Sequence, residues 1–384
     1  MARKIIIDTD PGIDDAMAIL AAFHSPELEV LGLTAVFGNA DVDTCAQNAL
    51  RLVELEGNDH IPVAKGCGKP LILPADSLGT LVHGKDGFGN TNPPPPRGRL
   101  DPRHAAQFII DTVMAHPHEV TLMPLGPLTN IALACILEPG IIPLVSEVVL
   151  MGGVAFALGN ISPVAEANIF HDPHAAEVVF AAPWKVTMIG LDVTMKIIMT
   201  PEYLAKLYAA GTPAVKLLER IQPCYQNFHH AIHGLRVASH THDAAVTAYL
   251  LAPELFTCEQ MPVYVETSGL CFGKTIADKY HKIFPSLKLN QGIGGEAGEV
   301  LVERPSTTIA AALDTEVEDA GSATTHVLLD QCVVLVLGQA GVVHPTHLRV
   351  LLQELGDLQR VFADAVHAQG QRFDALQDQE GVER

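Results

Sequence analysis

At 384 residues the chain has material for one large domain or two moderate ones, with an ample core. Hydrophobic residues at 48% against 18% charged exclude a disordered chain, and a formal net charge of −20 with no local Lys/Arg cluster argues against nucleic acid as a partner. Seven cysteines, odd in number and without a CxxC pair, read as reduced thiols; no apolar run reaches transmembrane length, so a cytoplasmic protein without membrane contact is expected, taking a small ligand.

The chain repeats one pattern: a short apolar run, a turn of small or polar residues, then a helical segment. Lys4–Asp8 leads into Asp14–His24. Glu29–Val36 ends at Phe37-Gly38-Asn39 and leads into Asp41–Glu56, where Ala46, Ala49, Leu50 and Val53 fall at helical spacing. A loop over Leu81–Arg99 carries His83 and four consecutive prolines, Pro93–Pro96, a stiff extended segment. Glu119–Leu125 ends at Gly126-Pro127 and leads into Leu128–Leu137, and Glu147–Met151 ends at Gly152-Gly153 before a polar stretch, Gly159–Asp172. Lys185–Leu191 ends at Asp192, and Ala244–Leu251 is an apolar helix. Val/Ile/Leu-rich runs alternating with helices predict an α/β fold, a doubly wound and mostly parallel central sheet with helices on both faces. Ligands bind such sheets at the carboxyl ends of strands, which places Asp8, Asp10, Asn39, Leu125 and Met151 on one rim. Gln291–Gly298 is glycine-rich but lacks dinucleotide spacing. From Thr346 the spacing of Leu348, Leu352, Leu355, Leu358, Phe362 and Val366 predicts an amphipathic helix, packed on the domain or at a subunit interface. The division is residues 1–338, a catalytic domain, and 339–384, that helix with a polar tail.

The chemistry concentrates in Asp8-Thr9-Asp10-Pro11-Gly12-Ile13-Asp14-Asp15. Four carboxylates within eight residues repel one another and call for a compensating charge, partly a helix N-terminus and more fully a divalent cation. A strand, an ordinary Pro-Gly turn and Asp14 as helix N-cap would account for the same residues without chemistry.

This octapeptide resembles the N-terminal signature of the inosine-uridine-preferring nucleoside hydrolase family. Further blocks follow in that family's order: Phe37-Gly38-Asn39, His83-Gly84, Gly126-Pro127-Leu128-Thr129-Asn130, Met151-Gly152-Gly153, Asn160 through Asp172, and His242-Asp243. The resemblance implies hydrolysis of the N-glycosidic bond of ribonucleosides to free base and ribose. It implies a calcium ion on Asp10, Asp15, the Leu125 carbonyl and Asp243, with a calcium-bound water activated by Asp10 as general base. It implies a ribose pocket of Asp14, Asn39, Met151, Asn160, Glu166 and Asn168, groups suited to sugar hydroxyls. His242 is expected to face the leaving base as a proton donor near its ordinary pKa, and His83 to stand near the leaving group. Glu166 and Asn168 would point the same way on an extended segment. Residue 167 is Ala where some relatives carry an aromatic, which implies a roomier base pocket, and Gln222–Ser239 is expected to be a mobile flap over the base. A homodimer or homotetramer is the expected assembly.

Three rival readings use the same residues. Asp8-x-Asp10 after a strand also fits a magnesium-dependent aspartyl phosphohydrolase, which requires a lysine or arginine at the rim. A non-catalytic nucleoside-binding protein would lack Asp10 or His242, and neither is lost. His229 and His233 stand at i, i+4 with His240 and His242 close behind, a spacing that suits zinc; no cysteine or carboxylate completes the set locally, so a solvated flap with spare histidines is expected.

Overall fold

The computed structural model describes residues 2–74, 78–280 and 304–313. The expectations for Gln291–Gly298, for the helix after Thr346 and for the boundary at 338/339 lie outside the described residues. Among the described residues eleven strands run in chain order: β1 (Arg3–Thr9), β2 (Leu28–Ala35), β3 (Val63–Lys65), β4 (Val120–Pro124), β5 (Glu147–Met151), β6 (Val186–Ile189), β7 (Ile198–Met199), β8 (Ser239–His240), β9 (Phe256–Val265), β10 (Thr275–Ala277) and β11 (Ser306–Leu313). Nine of them form one sheet in the order β10-β9-β11-β6-β5-β4-β1-β2-β3. From β3 to β11 every pair is parallel, and only β9 runs against its neighbours. β7 and β8 pair separately, antiparallel.

The helices are α1 (Ile13–His24), α2 (Val42–Leu55), α3 (Thr80–His83), α4 (Ala105–Ala115), α5 (Thr129–Leu137), α6 (Ala167–His171), α7 (Pro173–Ala181), α8 (Leu191–Thr194), α9 (Pro201–Ala209), α10 (Pro213–His233) and α11 (Ala244–Leu251). β1 shows why the layers form. Its side chains alternate across the sheet, so Ile5 and Ile7 join Met17, Leu20 and Leu33 in one apolar layer. Ile6 joins Phe108, Ile109, Leu122 and Ile131 in the other. Both faces of the strand are covered, as its unbroken apolar run requires.

Chain order reverses at β1: β2 lies on one side of it and β4 on the other. The crevice at such a switch point is where a doubly wound sheet receives ligands. α2 begins on Asp41, whose carboxylate accepts the Asp43 and Thr44 N–H groups at 3.1 and 3.0 Å.

Two segments differ from expectation. The run at Lys185–Leu191 ends as a strand at Ile189, because Gly190 starts the short helix α8. Most of Gln222–Ser239, expected as a flap, is helix: α10 starts on Thr212 with Pro213 in its first turn and ends on left-handed Gly234. Val215, Leu218, Ile221 and Tyr225 recur along its buried face, while Pro223 sits on the exposed one.

Candidate active site

The turn Asp10-Pro11-Gly12 carries the carboxylates of the first block onto the C-terminal rim of the sheet. Gly12, not Asp14, caps α1, which removes the purely structural account of Asp14. Asp14 and Asp15 occupy the first turn, where the helix dipole favours negative charge. Asp15 accepts three hydrogen bonds, from Thr9 Oγ1 at 2.6 Å, the Gly12 N–H at 2.9 Å and Asn39 Nδ2 at 2.8 Å. Asp10 Oδ2 accepts the Asn39 N–H at 2.8 Å, whereas its Oδ1 is buried with no hydrogen-bond partner. The backbones of Gly38 and Gly126 press on these two oxygens so closely that a Cβ at either position would collide with Asp10.

Asp243 reaches the same place from the far end of the chain. It holds the N-cap position of α11, but with helical φ −67 and ψ −37 and no side-chain cap hydrogen bond, so its carboxylate is not spent on capping. α1 and α11 pack side by side, with Thr247 Oγ1 donating to the Ala18 carbonyl at 3.1 Å, and their N-termini converge. Carboxylate oxygens of Asp14, Asp15 and Asp243 thereby lie within 4.8 Å of one another. At that distance each pair of ionised carboxylates repels by roughly 3–4 kcal/mol for an effective dielectric near 20.

Burial first, and then this mutual repulsion, raises the pKa of Asp10, Asp15 and Asp243. Burial also raises Asp14, against a hydrogen bond donated by Tyr225 Oη at 2.9 Å. Buried like charges of this kind are compensated by a cation or by protons. The converging oxygens of Asp14, Asp15 and Asp243 fit a hard divalent cation, and Asp10, whose Oδ1 is unpartnered, is near enough to help raise the pKa of Asp243. Asp8 stands apart from this group. Its Oδ1 accepts from Thr34 Oγ1 at 2.5 Å and Asn130 Nδ2 at 2.8 Å, and burial lifts it to about 7, so it ties β1 to its neighbours.

Above the carboxylates opens a cavity of about 260 Å³ lined by Asp14, Asn39, His83, Leu125, Met151, Asn160, Glu166, Asn168, His242 and Asp243 among others. The cavity therefore gathers ten of the residues singled out from the sequence, and Asp10 and Asp15, which do not line it, adjoin it through Asn39, whose N–H and Nδ2 they accept. The path to this arrangement differs at one point. Asn168 is not on an extended segment: Glu166 caps α6 by accepting the Asn168 and Ile169 N–H groups at 2.9 and 3.1 Å, and Asn168 lies in its first turn. Glu166 also accepts the Gly153 N–H at 2.9 Å, which clamps α6 to the end of β5. Asn168 Nδ2 then reaches the carbonyls of Leu125, at 2.6 Å, and Met151, at 3.2 Å. Asn160 is exposed, and its Oδ1 accepts the Ala167 N–H at 3.0 Å.

The histidines also depart from expectation. His242 is buried, and burial together with the imidazoles of His240 and His229 pushes its pKa well below the ordinary value, so its ring is neutral rather than poised near 6.5. Its Nδ1 lies 2.8 Å from Thr194 Oγ1. His83 Nδ1 accepts the Ile13 N–H at 3.1 Å, and burial lowers its pKa to about 4. The approach of that nitrogen to Asp14 Oδ1, 3.9 Å, is therefore no ion pair, because Nδ1 carries no proton. His229, expected on a solvated flap, is only 2% exposed.

Sequence reading gave no role to Tyr225 and did not single out Thr194 or the residues that Asp192 organises. Tyr225 stacks on His83 with ring centroids 5.4 Å apart while its hydroxyl holds Asp14. Asp192 accepts the N–H groups of Ala155, Phe156 and Ala157 and so fixes the loop leading to Asn160. No local pattern signals these contacts, since each spans more than 30 residues. Among the described residues that line the cavity there is no lysine or arginine, so the requirement of the phosphohydrolase reading is not met there.

A doubly wound sheet with a metal-competent carboxylate cluster at its switch point, beside a cavity lined by amides, imidazoles and apolar side chains, is the arrangement of a small-molecule enzyme. The sequence profile described as inosine-uridine preferring nucleoside hydrolase matches residues 5–353, and the chain belongs to that family. An inosine-uridine preferring nucleoside hydrolase of Leishmania major is 43% identical over 281 residues, covering 72% of this chain and 88% of that protein. Uridine nucleosidase 1 of Arabidopsis thaliana is 41% identical over 277 residues, covering 72% and 82%. A solved plant nucleoside hydrolase superposes with a TM-score of 0.76 at 31% identity, over 88% of this chain and 99% of that one. Among the described residues no helix is long and apolar enough to cross a membrane.

Proposed function

We propose that this chain hydrolyses the N-glycosidic bond of ribonucleosides, releasing free base and ribose, with Asp10 as the base that activates water. The observation that carries the reading is Asp10 Oδ1: a buried carboxylate oxygen without a hydrogen-bond partner, whose carboxylate is held by Asn39 of the cavity wall. Asp10, Asp15, the Leu125 carbonyl and Asp243 would hold calcium, which when bound supplies the positive charge that orients the attacking water and lowers its pKa.

The chain's own groups do the rest. The Asn39 N–H fixes Asp10 Oδ2, which leaves Oδ1 to accept the proton of the attacking water. Thr9, Gly12 and Asn39 orient Asp15 by three hydrogen bonds, which favour its ionised form against the burial that raises its pKa. Tyr225 orients Asp14 toward the sugar hydroxyls, with Asn39, Met151, Asn160, Glu166 and Asn168 completing the ribose wall. His242 acts on the leaving base as a neutral imidazole. In the tautomer that accepts from Thr194 Oγ1 at Nδ1, 2.8 Å away, the ring proton resides on Nε2, available to the departing nitrogen or oxygen as negative charge builds there. His83, with its Nδ1 engaged by Ile13, lines the same wall and is assigned to substrate binding.

Incubation with inosine, uridine, adenosine and cytidine, with and without chelator and phosphate, tests the reading. Ribose release that needs calcium and not phosphate is the expected result; turnover only with phosphate would replace hydrolysis by phosphorolysis. The chain is expected to act in the cytoplasm as a homodimer or homotetramer, and sedimentation of the purified protein reads the assembly.

A further inference from the structure

Beyond the carboxylate floor the cavity carries a second cluster of potential ligands with different chemistry. α10 places His229 and His233 one turn apart on one face, with ring centroids 5.4 Å apart. The chain then turns at Gly234 and returns as β8, which brings the His240 ring to 5.2 Å from His229 and 5.3 Å from His233. One ring nitrogen from each of the three lies within 4.8 Å of the others. His229 is 2% exposed, and both of its ring nitrogens lack a hydrogen-bond partner. A buried imidazole without partners leaves the desolvation of two polar atoms uncompensated unless a ligand recovers it. Two other features fix β8 against α10: Gln222 Nε2 donates to Ser239 Oγ at 2.6 Å, and β8 pairs with β7.

We propose that His229, His233 and His240 form a site for a borderline transition-metal cation, Zn²⁺ in the first instance, separate from the carboxylate floor. Three neutral imidazoles suit zinc, whereas a hard cation such as calcium prefers the oxygen-only set of Asp10, Asp15 and Asp243. Metal–nitrogen bonds of about 2.0–2.1 Å require the ring nitrogens to converge on one point, and His233, exposed on the last turn of α10, has the freedom to adjust to it by changing rotamer. Burial and the neighbouring imidazoles push His229 down to about 3, so it presents the unprotonated form that binds metal. His229 and His233 both line the cavity, so an ion there stands at the base end of the pocket and pins the end of α10 to β8. Zinc is therefore expected to inhibit reversibly while calcium stays bound.

Calorimetric titration of the full chain with ZnCl₂ in saturating calcium tests the site, with Co²⁺ as a spectroscopic substitute. One Zn²⁺ per chain is expected, and His233→Ala should weaken it by about tenfold or more. Wild-type protein loaded with Co²⁺ should show the intense visible absorption of tetrahedral nitrogen coordination, lost in His233→Ala. His233 is exposed, so that variant is expected to fold, and its unchanged melting temperature without zinc checks this. Zinc binding abolished by calcium would place the ion on the aspartates and overturn the proposal. Equal zinc affinity in His233→Ala would overturn it too, since the three-histidine set would then not be the site. Failure of the hydrolysis assay would leave both zinc readouts intact, because neither depends on turnover.

Discussion

Tyr225→Phe isolates one hydrogen bond in the candidate site. The phenol oxygen donates to Asp14 Oδ2 at 2.9 Å, and both groups are buried. Phenylalanine keeps the ring that stacks on His83 and the edge contact to His229, so packing is largely preserved. What disappears is a hydrogen bond to a charged acceptor, worth about 1.5–3 kcal/mol, with a carboxylate oxygen left short of a partner. If Asp14 holds a ribose hydroxyl, that energy is lost where substrate binds, and kcat/KM falls roughly 10- to 100-fold. The measurement is steady-state kinetics on uridine and inosine, with melting curves on the same samples. A drop confined to melting temperature, with kcat/KM unchanged on both nucleosides, would refute the reasoning: the hydroxyl would then be a packing device and Asp14 would not be a sugar ligand.

Asp10→Ala removes the proposed base and a metal ligand together and should lower kcat by at least about 10³-fold, read by ribose release; near-normal kcat would mean water is activated elsewhere. His242→Ala should cost more on nucleosides with poor leaving groups than on one with an activated aryl leaving group, and an equal loss on both would remove His242 from leaving-group chemistry. Thr194→Val should reproduce part of that loss, roughly fivefold, as expected for one neutral hydrogen bond of about 1 kcal/mol. Chelation should lower the melting temperature as well as activity, because a cation at about 100 times its Kd contributes about 2.7 kcal/mol to the folded state. Asp41→Ala, at the exposed start of α2, should cost about 1 kcal/mol through loss of the α2 cap. Asp41 is slightly desolvated, but its hydrogen bonds from Thr44 and Asp43 outweigh this and hold its pKa below the ordinary carboxylate value. Its contribution is thus present above the unfolded pKa near 4 and fades as pH falls through the folded one, which urea midpoints at pH 7 and pH 3 would show.

The parallel sheet was legible because its physics is local. β1, β4, β5 and the second half of β2 are buried on both faces and so appear as largely apolar runs, and the helices after them announce themselves through caps such as Asp41. Elements whose stability comes from elsewhere were not. α10 contains Pro223 and a polar exposed face, and it forms because Val215, Leu218, Ile221 and Tyr225 find the layer built by α1. The sheet's far edge, β9 to β11, carries no helix-alternating rhythm, since β9 runs antiparallel between β11 and β10.

In the site, the sequence revealed what charge demands and concealed what distance supplies. Asp8, Asp10, Asp14 and Asp15 are adjacent in the chain, so their need for compensation can be read directly, but their division of labour cannot. That division rests on partners 20 to more than 200 residues away: Thr34 and Asn130 take Asp8, Asn39 takes Asp10 and Asp15, and Tyr225 takes Asp14. The same reasoning explains the histidines. An i, i+4 pair is visible in sequence, but whether it is solvated or buried depends on where β8 lies, and β8 is two residues long. Once β8 closes on α10, His229 is enclosed, its nitrogens are left without partners and His242 is driven neutral. One short strand thus sets both the protonation state proposed for the leaving-group histidine and the ligand geometry proposed for zinc. The two proposals therefore share a structural cause while standing on separate measurements.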